Sequence, residues 1–333
     1  MRLPSPCQIK TEYPLRAPET IQLFRKTARD ILERKDPRLV VICGPCSVHD
    51  LASTVEYAKR LHSLSKEIDQ TFFLIMRVFF EKPRTHLGWK GLLYDPYLDG
   101  SHDIAEGIRQ SRALILKVTE IGLPCASELL EPLLVPYFND LITWGLIGAR
   151  TSSSQPHRQM ASGLPFPIGF KNNLAGDIEW AVTGVATAQR KHSHIGTDEQ
   201  GYVSKIETQG NPLTHLVLRG SERSSNYDAG SINKALQTLS VHGLEARLMI
   251  DCSHGNSGKN PDMQKYAFED VCHQRENNPA ILGVMLESHL RGGRQSLNDR
   301  EHLQFGLSIT DPCMSWEETS SLLRSRSMSF VQK

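Results

Sequence analysis

Short apolar segments alternate with helical patterns along most of the chain, and this alternation restricts the possible folds more than any other feature. Eight segments have the composition of buried strands: residues 38–43, 72–80, 124–129, 146–149, 167–170, 215–218, 248–251 and 281–286. Nearly all of them are followed by a helical pattern or a long connection, which is typical of parallel strands. Eight such units in 333 residues predict an α/β fold, the (β/α)8 TIM barrel.

The segments outside the eight units have different patterns. Residues 1–36 predict an N-terminal extension, in which an extended arm over residues 1–18 leads into a helix that begins at Pro18. Residues 37–333 predict the barrel, with a polar insertion over residues 190–213 that holds a small hairpin. Further helices are predicted at residues 51–68, 104–121, 133–144, 178–188, 232–241, 262–272 and 316–324.

The composition argues against several classes of protein. The 38 basic and 37 acidic side chains leave a net charge of +1, so we expect binding neither to nucleic acid nor to membranes. Seven scattered cysteines do not fit a secreted disulfide framework. Residues 1–10 lack the apolar core of a signal peptide, and no apolar run reaches membrane-spanning length. We therefore expect a cytoplasmic protein in which any cluster of cations binds a small anion.

A polar or ionisable residue closes nearly every predicted strand. In a (β/α)8 barrel the carboxyl ends of the strands share one open face, so these residues are expected to meet there. Six of them are cations: Arg77, Lys82, Arg84, Arg150, Lys171 and Arg219. So many positive charges in one cavity would repel one another unless anionic substrates neutralised them. The pattern therefore indicates multiply charged ligands, such as two phosphorylated small molecules.

A second group at the strand ends has the side chains of metal ligands. Its members are Cys46, His254, Glu287 and Asp311. A thiolate, an imidazole and two carboxylates suit Mn, Fe, Co or Zn and suit Mg poorly. A single His or Glu is more often structural, but four compatible residues on different units favour one site. Glu128, at another strand end, is either an acid–base group or part of an acidic turn with Glu131.

Two interpretations of Cys46 remain open at this point. Cys43 and Cys46 have the spacing of a C-x-x-C dithiol, whose first thiol is activated at a helix N-terminus. Alternatively, Cys46 is a single thiolate ligand whose partner ligands lie far along the chain. A related hypothesis is that oxidation joins Cys46 to Cys43 or to Cys313 and so ejects the metal.

The motifs at the strand ends resemble those of a known family, the class I 3-deoxy-D-arabino-heptulosonate 7-phosphate (DAHP) synthases. They are GPCSVHD at 44–50, RVFFEKPRT at 77–85, GWKG at 88–91, GART at 148–151, GFKN at 169–172, DCSHGN at 251–256, ESH at 287–289 and SITD at 308–311. The resemblance extends from about Asp36 onward. It implies a TIM barrel that condenses phosphoenolpyruvate with erythrose 4-phosphate, the entry step of the shikimate pathway.

The resemblance also implies a role for each candidate residue. One divalent metal ion would be bound by Cys46, His254, Glu287 and Asp311. Phosphoenolpyruvate would be surrounded by Arg77, Lys82, Glu128, Arg150, Lys171 and Arg219. Erythrose 4-phosphate would meet Lys82, Arg84, Thr85 and Asp311. Lys82, Glu128 and His254 are the expected catalytic residues, with Lys82 protonating the new alkoxide and Glu128 positioning water.

Some departures from the family suggest a specialised member. Pro165 replaces a serine that is common in feedback-inhibited relatives, Pro136 lies in the other half of that pocket, and the N-terminal arm is short. We expect weak or absent inhibition by an aromatic amino acid, and a homodimer or homotetramer. Three alternatives remain open: a condensation with a longer aldose phosphate, as in 3-deoxy-octulosonate 8-phosphate synthases, a Schiff-base aldolase acting through Lys171, and a catalytically silent regulatory paralogue.

Overall fold

Eight parallel strands close into a barrel in the computed structural model, which describes residues 2–298 and 300–331. The barrel strands are β1 (Leu39–Gly44), β2 (Phe72–Arg77), β3 (Cys125–Glu128), β4 (Trp144–Ile147), β5 (Ile168–Lys171), β8 (Thr214–Leu218), β9 (Leu248–Asp251) and β10 (Ile281–Glu287). Neighbouring strands follow the order of the chain, and β10 pairs with β1 to close the circle. The predicted (β/α)8 barrel is confirmed.

Helices surround the barrel and connect its strands. They are α1 (Pro6–Glu12), α2 (Pro18–Leu32), α3 (Leu51–Glu67), α4 (Ile104–Ile121), α5 (Gln155–Ala161), α6 (Glu179–Ala188), α7 (Ala229–Val241), α8 (Pro261–Arg275) and α9 (Trp316–Val331). Asp50 caps α3 by accepting hydrogen bonds from the backbone of Ala52 and Ser53, as its position before the apolar pattern predicts. None of the helices in the described ranges is both long and apolar enough to span a membrane.

Alternation along β1 divides the core into two layers. Val40 and Ile42 belong to the barrel interior, which also holds Trp144, whereas Val41 and Cys43 pack in the layer between strands and helices. Side chains of α2 join the interior cluster, since Ala28, Ile31 and Leu32 are grouped with it. Helix α2 therefore covers one end of the barrel, and the carboxyl ends of the strands form the other, open end.

The N-terminal arm contains a helix where an extended chain was predicted, so that prediction is wrong. Ser5 and Gln8 form a capping box, in which Ser5 Oγ accepts from Gln8 N and Gln8 Oε1 accepts from Ser5 N. Pro6 occupies the first helical position, where the missing N–H costs nothing, so the prolines of this arm do not prevent a helix. Helix α1 also buries Ile9.

The helix predicted over residues 133–144 is also wrong. The structure has a short 3-10 helix, Pro132–Tyr137, and Trp144 already begins β4. Pro136 lies inside this segment and has no N–H to continue an α-helical ladder. The short helix α5 was not predicted from the sequence.

The polar insertion contains the predicted hairpin. Its strands are β6 (His192–Thr197) and β7 (Val203–Thr208), which pair antiparallel outside the barrel. Helix α1 lies against the hairpin, where Cys7 N donates to Glu199 O and Lys10 Nζ lies 2.8 Å from Glu199 Oε1. The insertion and the N-terminal arm thus contact each other at the surface.

Candidate active site

The loop after β1 carries Cys46 into the open end of the barrel. Gly44 ends the strand at φ 152°, and a Cβ there would lie 2.9 Å from the carbonyl oxygen of Arg77. Glycine therefore allows β1 and β2 to approach closely. Arg77 fixes the loop, because its Nε donates to Pro45 O at 3.0 Å and its Nη2 donates to Cys46 O at 3.3 Å.

Three side chains from distant parts of the chain form a group of metal-ligand type. Donor atoms of Cys46, Glu287 and Asp311 all lie within 4.8 Å of one another. Glu287 is the last residue of β10, and the segment with Asp311 lies beside it because Met314 N donates to Glu287 O at 2.9 Å. A thiolate with two carboxylates is a donor set for a divalent transition metal.

His254 lies next to this group and is oriented by two polar neighbours. Its Nδ1 is 2.9 Å from Asp251 Oδ2 and 2.8 Å from Ser253 Oγ, while Ser253 Oγ donates to Asp251 Oδ1. With Nδ1–H directed at the carboxylate, Nε2 is an acceptor, and it lies 3.6 Å from Glu287 Oε1. A carboxylate behind a histidine in this way fixes the tautomer that a metal requires. His254 thus lies beside the three-residue donor group and close to Glu287, although it is outside the set whose donor atoms all lie within 4.8 Å of one another.

Asp251 was not among the residues predicted from the sequence. It is fully buried at the end of β9 and lies between two partners, His254 and Lys171, each 2.9 Å away. Burial opposes its charge, but His254 and Lys171 hold the pKa of Asp251 well below its usual range. The sequence does contain a pattern that points to Asp251, because it is the last residue of a predicted strand.

A cation lies beside each of the three donor residues. Lys82 Nζ lies 3.2 Å from Cys46 Sγ, Arg77 Nη2 lies 2.7 Å from Glu287 Oε1, and Lys259 Nζ lies 3.4 Å from Asp311 Oδ1. Burial and the charge of Glu287 raise the pKa of the Cys46 thiol, and the ammonium of Lys82 opposes them. Burial alone would raise the pKa of Glu287, but His254 in its protonated form and the guanidinium of Arg77 lower it.

The predicted cations line one cavity above the donor group. Its walls include Arg77, Lys82, Arg84, Glu128, Arg150, Lys171, Arg219, His254 and Asp311. Thr85 is positioned beside it, because Arg150 Nε donates to Thr85 Oγ1 at 2.8 Å. Within the described part of the chain, Arg84, Arg150 and Arg219 have no acidic partner within 4.0 Å. Three arginines directed into a cavity without acidic partners form a binding site for anions.

Glu128 lines the same cavity and has one buried carboxylate oxygen without a partner in the described structure. Its side chain is 6% exposed, and Oε1 has no hydrogen-bond partner among the described residues. Gly148, on the neighbouring β4 unit, leaves space for this carboxyl group, since a Cβ there would lie 2.3 Å from Oε1. Glu128 is therefore an acid–base candidate rather than a turn residue.

The two cysteines of the C-x-x-C motif lie in different environments. Cys43 Sγ contacts the hydroxyl of Tyr57 at 3.2 Å in the layer between barrel and helices, whereas Cys46 Sγ contacts Lys82 at the open end. All seven cysteines, each within the described ranges, are free. This separation favours the metal-ligand interpretation of Cys46 over the dithiol interpretation.

Known proteins of one family resemble this chain. The model of the DAHP synthetase I family matches residues 12–324. The chain is 43% identical to the Tyr-sensitive phospho-2-dehydro-3-deoxyheptonate aldolase of Escherichia coli, over 97% of this chain and 91% of that protein. It is 43% identical to the phospho-2-dehydro-3-deoxyheptonate aldolase of Corynebacterium glutamicum, over 96% of this chain and 90% of that protein.

A solved structure has the same architecture. It is a phospho-2-dehydro-3-deoxyheptonate aldolase from Francisella tularensis, which superimposes with a TM-score of 0.96 at 40% sequence identity. The superposition covers 99% of this chain and 97% of the other. The likeness therefore includes the whole barrel and the segments outside it.

Proposed function

The chain belongs to the DAHP synthetase I family, and we propose that the residues at the open end of its barrel bind the two substrates and one divalent metal ion. The reaction condenses phosphoenolpyruvate with erythrose 4-phosphate and water to give DAHP and inorganic phosphate, in aromatic biosynthesis. The observation that carries our assignment of residues is the cavity that the six predicted cations line, next to a mixed donor group.

Phosphoenolpyruvate would bind on the side of Arg150, Lys171 and Arg219. Neither guanidinium of Arg150 and Arg219 has an acidic partner in the described structure. The negatively charged phosphate and carboxylate of phosphoenolpyruvate can therefore pair with them. Lys171 is held by Asp251 at 2.9 Å, and Arg77 lies over the Phe79 ring with Cζ 3.5 Å from its centroid. These contacts fix both cations before the substrate binds, which reduces the entropy lost on binding.

Erythrose 4-phosphate would bind beside Arg84, Thr85 and Asp311. Arg84 is positioned by its bond to Trp89 O at 2.8 Å, which leaves the rest of the guanidinium to bind the substrate phosphate. The aldehyde end would then point towards Lys82, whose Nζ lies 3.1 Å from Cys46 O. The cavity thus orients the aldose with its phosphate outward and its carbonyl inward.

The donor group fits a divalent metal ion, on the ground of its own geometry. Cys46, Glu287 and Asp311 offer three donor atoms within 4.8 Å, and Nε2 of His254 is an acceptor 3.6 Å from Glu287. We propose that the ion is Mn, Fe, Co or Zn, since a thiolate and an imidazole disfavour Mg. When bound there, such an ion supplies a Lewis acid for the carbonyl oxygen of the aldose.

The proton transfers would belong to Lys82 and Glu128. Lys82 Nζ donates a proton to the aldehyde oxygen while C3 of phosphoenolpyruvate bonds to the aldehyde carbon, so that a hydroxyl replaces the carbonyl. Glu128 Oε1 takes a proton from the water that bonds to C2 of phosphoenolpyruvate. The resulting hemiketal phosphate releases inorganic phosphate by C–O cleavage. The partnerless Oε1 is the atom in the described structure that supports this assignment of the water.

A chelate-and-restore assay tests the proposed function. Protein stripped with EDTA receives both substrates, and DAHP and phosphate are measured without metal and with added Mn, Fe, Co or Zn. We expect turnover that depends on the metal and on erythrose 4-phosphate. Turnover with D-arabinose 5-phosphate instead would support the longer-aldose alternative, and a borohydride-trapped adduct on Lys171 would support the Schiff-base one. Absence of turnover with all four metals would support a silent paralogue.

The remaining proposals concern organisation and regulation. We propose a cytoplasmic homodimer or homotetramer, with residues 1–36 as an N-terminal extension of a barrel over residues 37–333 that carries the insertion at 190–213. We also propose weak or absent feedback inhibition, because Pro165 stands where feedback-inhibited relatives commonly have a serine, Pro136 lies in the other half of that pocket, and the N-terminal arm is short. Light scattering gives the oligomeric state, and titration with phenylalanine, tyrosine and tryptophan gives the inhibition.

A further inference from the structure

Lys259 lies at the rim of the catalytic cavity, and neither the sequence motifs nor the proposed roles include it. We propose that Lys259 is a further residue of the erythrose 4-phosphate site, whose ammonium turns from Asp311 to the substrate phosphate when that carboxylate binds the metal ion. This inference rests on the proposed function of the same site. It makes binding of the ion and of the aldose phosphate interdependent.

The backbone around Lys259 is held in a strained conformation. Gly258 and Lys259 have φ values of 59° and 61°, and Lys259 has a side chain that disfavours this region. Lys259 N donates to His254 O at 2.8 Å, which closes the turn that follows the His254 donor. Strain of this kind persists where the surrounding structure requires it, and it is concentrated at functional sites. Here it brings Lys259 to the wall of the same cavity as Arg84.

Lys259 differs from the other cations that face the donor group. Arg77 and Lys82 are 1% and 8% exposed, and each is also bonded to backbone carbonyls of the β1 loop. The Lys259 side chain is 59% exposed, and Asp311 Oδ1, at 3.4 Å, is its one hydrogen-bond acceptor in the described structure. Lys259 is therefore the cation of these three that is free to change partner without disturbing the packed core.

The charge of Lys259 links its change of partner to the binding of the metal ion and of erythrose 4-phosphate. A divalent ion bound to Asp311 repels the nearby ammonium, and an aldose phosphate attracts it. In the absence of substrate the ammonium lies 3.4 Å from Asp311 Oδ1 and so opposes binding of the ion there. Because coupling between binding sites is reciprocal, the ion and the aldose phosphate each strengthen the binding of the other through Lys259. Removal of the charge should therefore affect the two affinities in opposite directions.

The test compares Lys259→Gln with Lys259→Arg. Both replacements keep an unbranched Cβ on the strained backbone, but Gln removes the positive charge and Arg retains it. Lys59→Gln, at an exposed position on α3, is the control for loss of one positive charge. For Lys259→Gln we expect the KM for erythrose 4-phosphate to rise about tenfold, with the KM for phosphoenolpyruvate and kcat within about twofold of wild type.

The second readout does not require turnover. Calorimetry with Mn on the chelated protein should show Lys259→Gln binding the ion about two- to fivefold more tightly than wild type. Lys259→Arg and Lys59→Gln should match wild type in both measurements. An unchanged KM for erythrose 4-phosphate, an equal rise in both KM values, or weaker Mn binding in Lys259→Gln would overturn the proposal. A wild-type protein without turnover would contradict the proposed function itself. That result is distinguishable from the outcomes that overturn the proposal for Lys259.

Discussion

Ionisable side chains are buried at both ends of the barrel, but they are charged at the open end and neutral at the closed end. At the open end, Arg77 lies 2.7 Å from Glu287 and Lys171 lies 2.9 Å from Asp251, so opposite charges stabilise one another away from water. At the closed end His215 packs against Trp144 with ring centroids 4.9 Å apart, and burial lowers its pKa to about 3. It stays neutral, because no described carboxylate lies within ion-pair distance.

This difference separates function from stability. Charges that are paired inside a cavity can exchange their partners for a metal ion or a substrate, so the open end is suited to catalysis. At the closed end, a neutral histidine and the apolar side chains of α2 have no charged partners to exchange for a ligand. The packing of these side chains therefore contributes to stability. Substitutions at the open end should therefore change activity more than stability, and substitutions at the closed end should do the reverse.

The largest effect is expected for Cys46→Ala. Loss of the thiolate removes a metal ligand, so turnover should fall by about a thousandfold or more while the fold is retained. Cys43→Ala is the matched control, because it removes a buried sulfur three residues away and should cost only about 1 kcal/mol of stability. Assays with Mn and thermal unfolding of both variants measure this. Equal loss of activity in the two variants would break the comparison.

The converse effect is expected for Leu32→Ala in α2. Leu32 is 1% exposed and belongs to the interior cluster, so its truncation should lower the unfolding free energy by about 2–5 kcal/mol. Urea unfolding measures the loss, and KM for each substrate should stay at the wild-type value at temperatures where the variant is folded. A changed KM would show that the two ends are not independent.

A smaller effect is expected for Asp251→Asn. The amide removes the charge that orients His254, so the Mn dissociation constant should rise by about 10–100-fold. Calorimetry on the chelated protein measures it, with Asp270→Asn on the exposed face of α8 as the control. Unaltered Mn affinity would mean that His254 is not oriented through Asp251.

The smallest effect concerns pH and the closed end. The unfolded state protonates His215 near pH 6.5, whereas its folded pKa of about 3 keeps it neutral, so the unfolded state binds more protons between these values. Stability from this group is therefore fully present above pH 6.5 and is lost as pH falls, by at most about 1.4 kcal/mol per pH unit. Urea unfolding between pH 6.5 and 5 measures how the unfolding free energy depends on pH. His215→Gln should make this dependence weaker, whereas His273→Gln, at an exposed position, should leave it unchanged.

Local patterns were sufficient to predict the open end. Each strand is a short apolar run whose last residue is polar, and the parallel topology alone brings Cys46, Arg77 and Glu287 to one face. Helix α1 could not be predicted in this way, because its contact with Glu199 joins residues far apart in sequence and its prolines favoured an extended arm. The 3-10 helix at Pro132–Tyr137 was missed because its apolar spacing also fits an α-helix.

Two residues of the open end, Asp251 and Lys259, were not predicted from the sequence. Asp251 contacts His254 and Lys171, and its burial follows from the ladder between β9 and β10 rather than from its own neighbours in sequence. Lys259 depends on a turn with positive φ, which a lysine does not predict. Asp251 could have been noted as the last residue of a predicted strand, but the contacts of both residues follow only from the three-dimensional arrangement of the cavity.

X-ray absorption of the zinc-loaded protein tests the central claim, that strand ends distant in sequence form one metal site through Cys46. We expect one sulfur neighbour at about 2.3 Å together with nitrogen and oxygen neighbours at about 2.0–2.2 Å. The sulfur shell should disappear in Cys46→Ala and remain in Cys43→Ala. A zinc ion with no sulfur neighbour in the wild-type protein, or a sulfur shell that persists in Cys46→Ala, would contradict the account.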